Sequence, residues 1–123
     1  MTGKNYSEVR RTLAAAGVHL ATSDDDYGNL RRILSEAGDQ AEFGKGAVRH
    51  ADGQPWEHQP IFTITRTAGL GFPVGQAMKK AGEAAGMARR GEREAAIAEL
   101  HGAIVYAAAA IRALEMDDAE GAS

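Results

Sequence analysis

Large apolar residues recur at helical spacing along the last third of the chain. Between Glu92 and Met116 they are separated by 3, 4, 7 and 3 residues and form one stripe: Ile97, Leu100, Ile104, Ile111 and Leu114. Ala107 and Ala108 fill the longest gap, and the segment contains no proline. This spacing predicts an α-helix over 92–116, about 37 Å long, with one apolar face.

A second helix is predicted just upstream, over 73–90, because Pro73 suits a helix start and Arg89-Arg90-Gly91 is typical of a helix end. Its apolar positions are Val74, Ala77, Met78, Ala81, Ala85 and Ala88. Three glycines lie within it, which predicts a close approach of two helix backbones: Gly75, Gly82 and Gly86. The short basic turn predicts an antiparallel helical hairpin, 73–90 and 92–116, at the centre of the fold.

Two shorter helices are predicted in the N-terminal part, over 5–17 and 23–38. Their N-caps and terminal glycines are Asn5 and Gly17, and Ser23 and Gly38. Both contain Tyr, Arg-Arg, Leu and Ala-Gly at matching positions, 21 residues apart. We interpret this as convergence of two capped amphipathic helices, because solenoid repeats need three or more copies.

The remaining segments complete an all-α prediction. Residues 39–60 contain several glycines and prolines and are predicted to be an irregular loop, which at this length is often functional. Residues 61–69 are rich in Ile, Phe and Thr, as strands are, but Pro60 and one apolar helical face favour a helix. The prediction is a single domain of four to five helices: an N-terminal pair (5–38), a loop (39–60), a core (61–116) and a disordered tail (117–123).

Composition limits how much core this fold can have. Alanine supplies 25 of the 123 residues, and large apolar residues are comparatively few. The Ala- and Gly-rich faces of 74–88 and 95–113 are too extensive for so thin a core to cover, which predicts a homo-oligomer. The sequence has no cysteine, so disulfides and thiolate chemistry are excluded.

Charge is distributed unevenly along the chain. The net charge of −3 argues against general nucleic-acid binding. Residues 44–90 nevertheless hold seven basic and three acidic residues, a net charge of +4 in an otherwise acidic chain. A basic middle favours a local anion site. No signal-peptide core or long uninterrupted apolar run is present, so we expect a cytoplasmic protein that does not bind membranes.

The irregular loop carries the candidate anion-binding residues. Lys45 lies between two glycines, whose backbone N–H groups can approach an anion closely, and Arg49 follows four residues later. Trp56 could stack on a base, or it could anchor the loop on the core. The predicted ligand-binding residues are Lys45, Gly46, Arg49, His50, Trp56, Arg66, Lys79 and Lys80.

The stretch Phe72-x-x-Gly75-Gln76-Ala77-x-Lys79, a basic turn and an Ala/Tyr-rich helix together resemble small phage-encoded helical proteins labelled MazG-like or nucleotide-kinase-like, over residues 60–112. MazG-type pyrophosphohydrolases bind magnesium through helical Glu-Glu-x-x-Glu and Glu-x-x-Asp sets. Only fragments of those sets are present here, and no Asp follows Glu99 at the right spacing. The resemblance implies a magnesium site made of Glu83, Glu92 and Glu99.

Three functions follow from these observations. The first is binding of a phosphorylated small molecule, such as a nucleotide, by sequestration without catalysis; for a phage-type protein this would suit an anti-defence role against a host nucleotide signal. The second is a magnesium-dependent nucleotide pyrophosphohydrolase, in which Glu83 and Glu99 face each other across the hairpin. The third is a protein-interaction module that uses the Ala-rich hairpin face.

Overall fold

A computed structural model describes residues 8, 9, 12, 26–44 and 54–121, the last four of these for the backbone only. The chain divides into two compact units, Met1–Arg32 and Ile33–Ser123. The described helices are α1 (Gly28–Phe43), α2 (Pro60–Ala68), α3 (Gly71–Arg89) and α4 (Arg93–Gly121), with a 3₁₀ turn at Trp56–His58. The prediction of an all-α fold is confirmed, whereas the predicted helix 5–17 lies largely outside the described residues.

The predicted hairpin is formed by α3 and α4. Gly91 has a φ of 78°, which favours glycine, and the N–H of Glu92 donates to the Met87 carbonyl at 2.9 Å. The helix boundary predicted at Arg89-Arg90-Gly91 is therefore confirmed. α4 continues five residues beyond its predicted end, so the prediction of disorder is wrong for 117–121, which contain no proline to stop the helix.

The segment for which strand and helix competed is helical. α2 begins with Pro60 in its first turn and ends before Gly69, which has a φ of 89°. Phe62 and Thr65 are buried, and the Thr65 hydroxyl donates to the Ile61 carbonyl at 2.6 Å. Two buried side chains three residues apart fit a helix, because strand neighbours at that spacing point to opposite faces.

The prediction that Gly38 stops the second N-terminal helix is wrong, because α1 continues to Phe43. Ala37 is fully buried, and the Gln40 side chain donates to the Ala98 carbonyl of α4 at 2.9 Å. These contacts offset the cost of about 1 kcal/mol for a glycine within a helix. Gly44 ends the helix instead, since a Cβ there would overlap the Gln40 carbonyl oxygen.

The interface between α3 and α4 is made mainly of small residues. Buried alanines hold the two arms together, with Pro73 at the start of α3: Ala84, Ala96, Ala109 and Ala110. The predicted reason for two of the glycines is wrong, because a Cβ on Gly75 or Gly82 would meet no atom within 4 Å. Close packing of the hairpin therefore comes from alanine, and the larger apolar residues lie elsewhere.

Candidate functional site

The apolar stripe of α4 is exposed. The exposed fractions are 46% for Ile97, 46% for Leu100, 60% for Ile111 and 50% for Leu114. Ile104 is half-buried and Ala107 is exposed. Together these six positions, 97, 100, 104, 107, 111 and 114, form the outer stripe of α4. Their alternating spacing of three and four residues is the heptad spacing of helices that pack against other helices.

A matching stripe lies on α3. Val74 and Met78 are exposed by 42% and 71%, and Ala81 and Ala85 are also exposed. Each residue of a helix turns by about 100°, so the stripe lies about 110° clockwise of the packed residues in α4 and about 140° in α3, each viewed from its own N-terminus. Because the arms are antiparallel, both rotations carry the stripes to the same side of the hairpin. We call the two stripes together the outer face.

A charged pair lies between the arms. Lys80 Nζ donates to Glu99 Oε1 at 3.0 Å and lies 5.9 Å from the centre of the Tyr106 ring. Gly102 makes room for the lysine, because a Cβ on Gly102 would come within 3.0 Å of Lys80 Cδ. The pair therefore occupies a fitted position between α3 and α4.

The pKa of Glu99 is lowered by its surroundings. The largest cause is the hydrogen bond from Lys80; partial burial opposes it, and the side chain of Glu83 contributes a further lowering. Glu83 and Glu99 thus interact across the hairpin. The lowered pKa and the direct bond from Lys80 identify Glu99 as an ionised, paired group that stabilises the hairpin.

An apolar groove of about 880 Å³ lies between α1, the 3₁₀ turn and the middle of α4. Its walls include Leu34, Ala37, Phe43, Trp56 and Val105. Polar side chains at its edge are Glu42, Gln54 and Gln59, and its described lining contains no Lys or Arg. The described part of the groove therefore suits an apolar group better than an anion.

The 3₁₀ turn is attached to the rest of the molecule on two sides. The Trp56 ring packs edge-on against Phe62, with centroids 4.8 Å apart, so Trp56 anchors this turn on α2 while it lines the groove. The Arg112 guanidinium binds the Glu57 carboxylate, and this hydrogen bond lowers the pKa of Glu57. Of the two interpretations of Trp56, the packing favours the anchor.

The structure places the predicted anion-binding residues in different surroundings. Lys45, Gly46, Arg49 and His50 lie outside the described residues. Arg66 is exposed near the end of α2, and Lys79 lies 3.9 Å from Glu83. Lys80 is bound by Glu99, so an anion would have to compete with that carboxylate.

The alternative magnesium ligands are spread along the hairpin. Glu92 lies at its turn and accepts two hydrogen bonds from Arg90, at 3.1 and 3.2 Å, whereas Glu99 is bound by Lys80. Within residues 26–44 and 54–117, no three His, Asp or Glu side chains are grouped closely enough to hold a metal ion. The described geometry therefore does not favour the hydrolase.

By length and composition alone, α4 could cross a membrane. A window of it within Arg93–Asp117 has a mean hydropathy of 1.4, and 11% of that window is buried. The same helix carries the Lys80–Glu99 pair and the Arg112–Glu57 pair on its packed sides. Charged groups are costly in hydrocarbon, so these contacts favour a helix that is apolar on one side only.

No protein family, curated protein or solved structure matches this chain. The functional argument therefore rests on the outer face and the groove. The sequence contained a signal for the outer face that a single apolar stripe does not convey: with Ala107 included, the spacing on α4 is strictly heptad.

Proposed function

We propose that this protein is a helical interaction module whose outer face docks against another helical surface. The observation that carries the proposal is the exposure of the outer stripe of α4, in which Leu100 and Ile111 are 46% and 60% exposed although they are among the largest apolar residues of the hairpin. Contiguous apolar patches of this kind mark interaction sites on soluble proteins.

The size of the outer face supports the same proposal. Two adjacent helices about 10 Å wide, one of 19 and one of 29 residues, present about 700 Å² of flat area. A stable interface buries about 800 Å² on each partner, and side-chain relief adds to the flat area. Covering this face would therefore supply an interface of ordinary size.

The experiment replaces face residues with glutamate. Leu100→Glu and Ile111→Glu place a charge at the centre of the outer face, and Ile64→Glu is the matched control, because Ile64 is an exposed isoleucine on α2. Native mass spectrometry and gel filtration of the full chain, in lysate and after purification, give its assembly state. We expect the wild type and the control to occur in a complex, and both face variants to be free monomers with unchanged circular dichroism.

Two results would overturn the proposal. One is a wild-type protein that is a free monomer in lysate and after purification. The other is co-sedimentation of the wild type with phosphatidylcholine vesicles that Leu100→Glu abolishes, since the face would then meet lipid rather than a helix.

A second candidate function is the binding of a phosphorylated small molecule, including a nucleotide signal that is sequestered. The groove supports it by its size, because ligand pockets commonly measure about 300–1,000 Å³, and by Trp56 in its wall. Phe43 and Gln54, which line the groove, flank the segment that contains Lys45 and Arg49. Recognition of phosphate would come from that segment.

Binding of ATP, GTP and cyclic dinucleotides, measured by calorimetry, tests this second candidate. Lys45→Ala and Arg49→Ala should each weaken binding by about 10- to 150-fold, because charge-assisted hydrogen bonds to phosphate contribute about 1.5–3 kcal/mol. Arg93→Ala, an exposed arginine at the start of α4, is the control and should bind like the wild type. The candidate is wrong if none of these nucleotides binds the wild type.

A further inference from the structure

We propose that the partner of the outer face is a second copy of this chain, with the two α4 helices packed antiparallel. This inference rests on the proposed function and adds the identity and orientation of the partner. It is drawn from the order of residues along the outer stripe, from the charge at its two ends and from the geometry of the hairpin.

The outer stripe of α4 is complementary to itself when it is reversed. Its six positions are symmetric about a point between Val105 and Tyr106. In an antiparallel pair, Ile97 would face Leu114 of the second copy, Leu100 would face Ile111, and Ile104 would face Ala107. Each layer combines apolar residues, and the smallest residue meets a β-branched one at the centre, so the layers fill without a void or a buried charge.

The ends of the hairpin differ in charge in the way that this orientation requires. At the turn, Arg90 and Glu92 bind each other, which leaves Arg89 and Arg93 with the single carboxylate of Glu94. At the far end of α4, Glu115 and Asp117 are exposed. An antiparallel pair sets the basic end of one copy beside the acidic end of the other, whereas a parallel pair sets Arg93 beside Arg93. The opposed helix dipoles favour the same arrangement.

The α3 arm fits the same two-fold axis. Closed dimers are most often two-fold symmetric, with the same surface used by both copies. An axis perpendicular to the helices places α4 on α4 and α3 on α3, so Val74, Met78, Ala81 and Ala85 would also be covered. The product is a four-helix arrangement with antiparallel neighbours across the interface.

Single cysteines test both the partner and the orientation, because the chain has no cysteine of its own. Ile97→Cys and Leu114→Cys are made in differently tagged full-length chains, expressed alone and together, and oxidised. In an antiparallel dimer residue 97 lies beside residue 114 of the other copy, while two copies of residue 97 are about 25 Å apart along the axis. A disulfide needs Cα atoms within about 7 Å.

We expect a disulfide-linked heterodimer from the co-expressed pair and no cross-linked dimer from either variant alone. Ile64→Cys, on the exposed surface of α2, is the control and should not cross-link in any combination. Cross-linking of each variant with itself would indicate a parallel pair and overturn the inference.

A complete lack of cross-linking, with a purified wild type that runs as a monomer, would also overturn the inference. The proposed function would survive that result if the wild type is still found in a complex in lysate that Leu100→Glu abolishes. The two failures are therefore distinguishable.

Discussion

Two consecutive lysines on α3 have different surroundings. Lys80 and its partner Glu99 are 29% and 19% exposed and 3.0 Å apart, whereas Lys79 and Glu83 are 66% and 45% exposed and 3.9 Å apart. Helical geometry turns Lys80 towards α4 and Lys79 away from it. Exposed ion pairs contribute little to stability, so only the Lys80–Glu99 pair should matter measurably.

The Lys80–Glu99 pair predicts a pH dependence of stability. Because the pKa of Glu99 is lowered in the folded protein, its contribution is fully present above the unfolded value of 4.5 and is lost as the pH falls through the lower folded value. Glu99→Gln should lower the free energy of unfolding at pH 7 by about 1–2 kcal/mol, as expected for a hydrogen bond to a charged group. It should also flatten the loss of stability below pH 4.5, measured by urea denaturation at a series of pH values.

Lys79→Gln is the control for this measurement, and we expect it to change stability by less than about 0.5 kcal/mol. If Lys79→Gln and Lys80→Gln proved equally destabilising, the distinction between the two lysines would be wrong.

At the scale of single helices, the end of α1 is set by contacts with the rest of the molecule. Gly38 is exposed, and a methyl group added to it would meet no atom within 4 Å. Gly44 has no room for a methyl group because of the Gln40 carbonyl. The two glycines therefore have opposite roles, one within the helix and one at its end.

This difference predicts opposite effects of the same substitution. Gly38→Ala should raise the free energy of unfolding by about 0.5–1 kcal/mol, because alanine favours the helix and costs less conformational entropy on folding. Gly44→Ala should lower it by about 1 kcal/mol or more, because the added methyl group overlaps backbone atoms. Chemical denaturation measures both, and a stabilising Gly44→Ala would contradict the assigned helix end.

At the scale of the whole molecule, the outer face should link stability to association. The described core is small, and its buried side chains are mostly alanine. Burying the outer face would therefore add a substantial share of the apolar area removed from water. Folding and association should be coupled.

Coupling of this kind predicts that the melting temperature rises with protein concentration. A tenfold increase in concentration corresponds to about 1.4 kcal/mol in an association equilibrium, enough to raise the melting temperature by several degrees in a domain of this size. Leu100→Glu should lower the melting temperature and remove its dependence on concentration, as measured by circular dichroism. Ile64→Glu should keep the dependence, and a wild-type melting temperature that is constant over a hundredfold range would contradict the coupling.

The sequence by itself determined the local elements of this protein. Pro73 and Pro60 mark helix starts, and Gly69 and Gly91 mark helix ends with backbone angles that favour glycine, so α2 and the hairpin could be predicted. These signals act through near neighbours in the chain, which is why they can be interpreted without a tertiary structure. The apolar stripe of α4 was equally visible.

The tertiary structure decided which side of each helix is covered. α1 continues past Gly38 because Gln40 and Ala37 contact the rest of the molecule, and no local signal contains that information. The hairpin packs through alanines and the Lys80–Glu99 pair, which leaves the large residues of α4 outside. Periodicity shows that a helix has an apolar face, but only the positions of the neighbouring helices determine whether that face is buried within the chain or left for a partner.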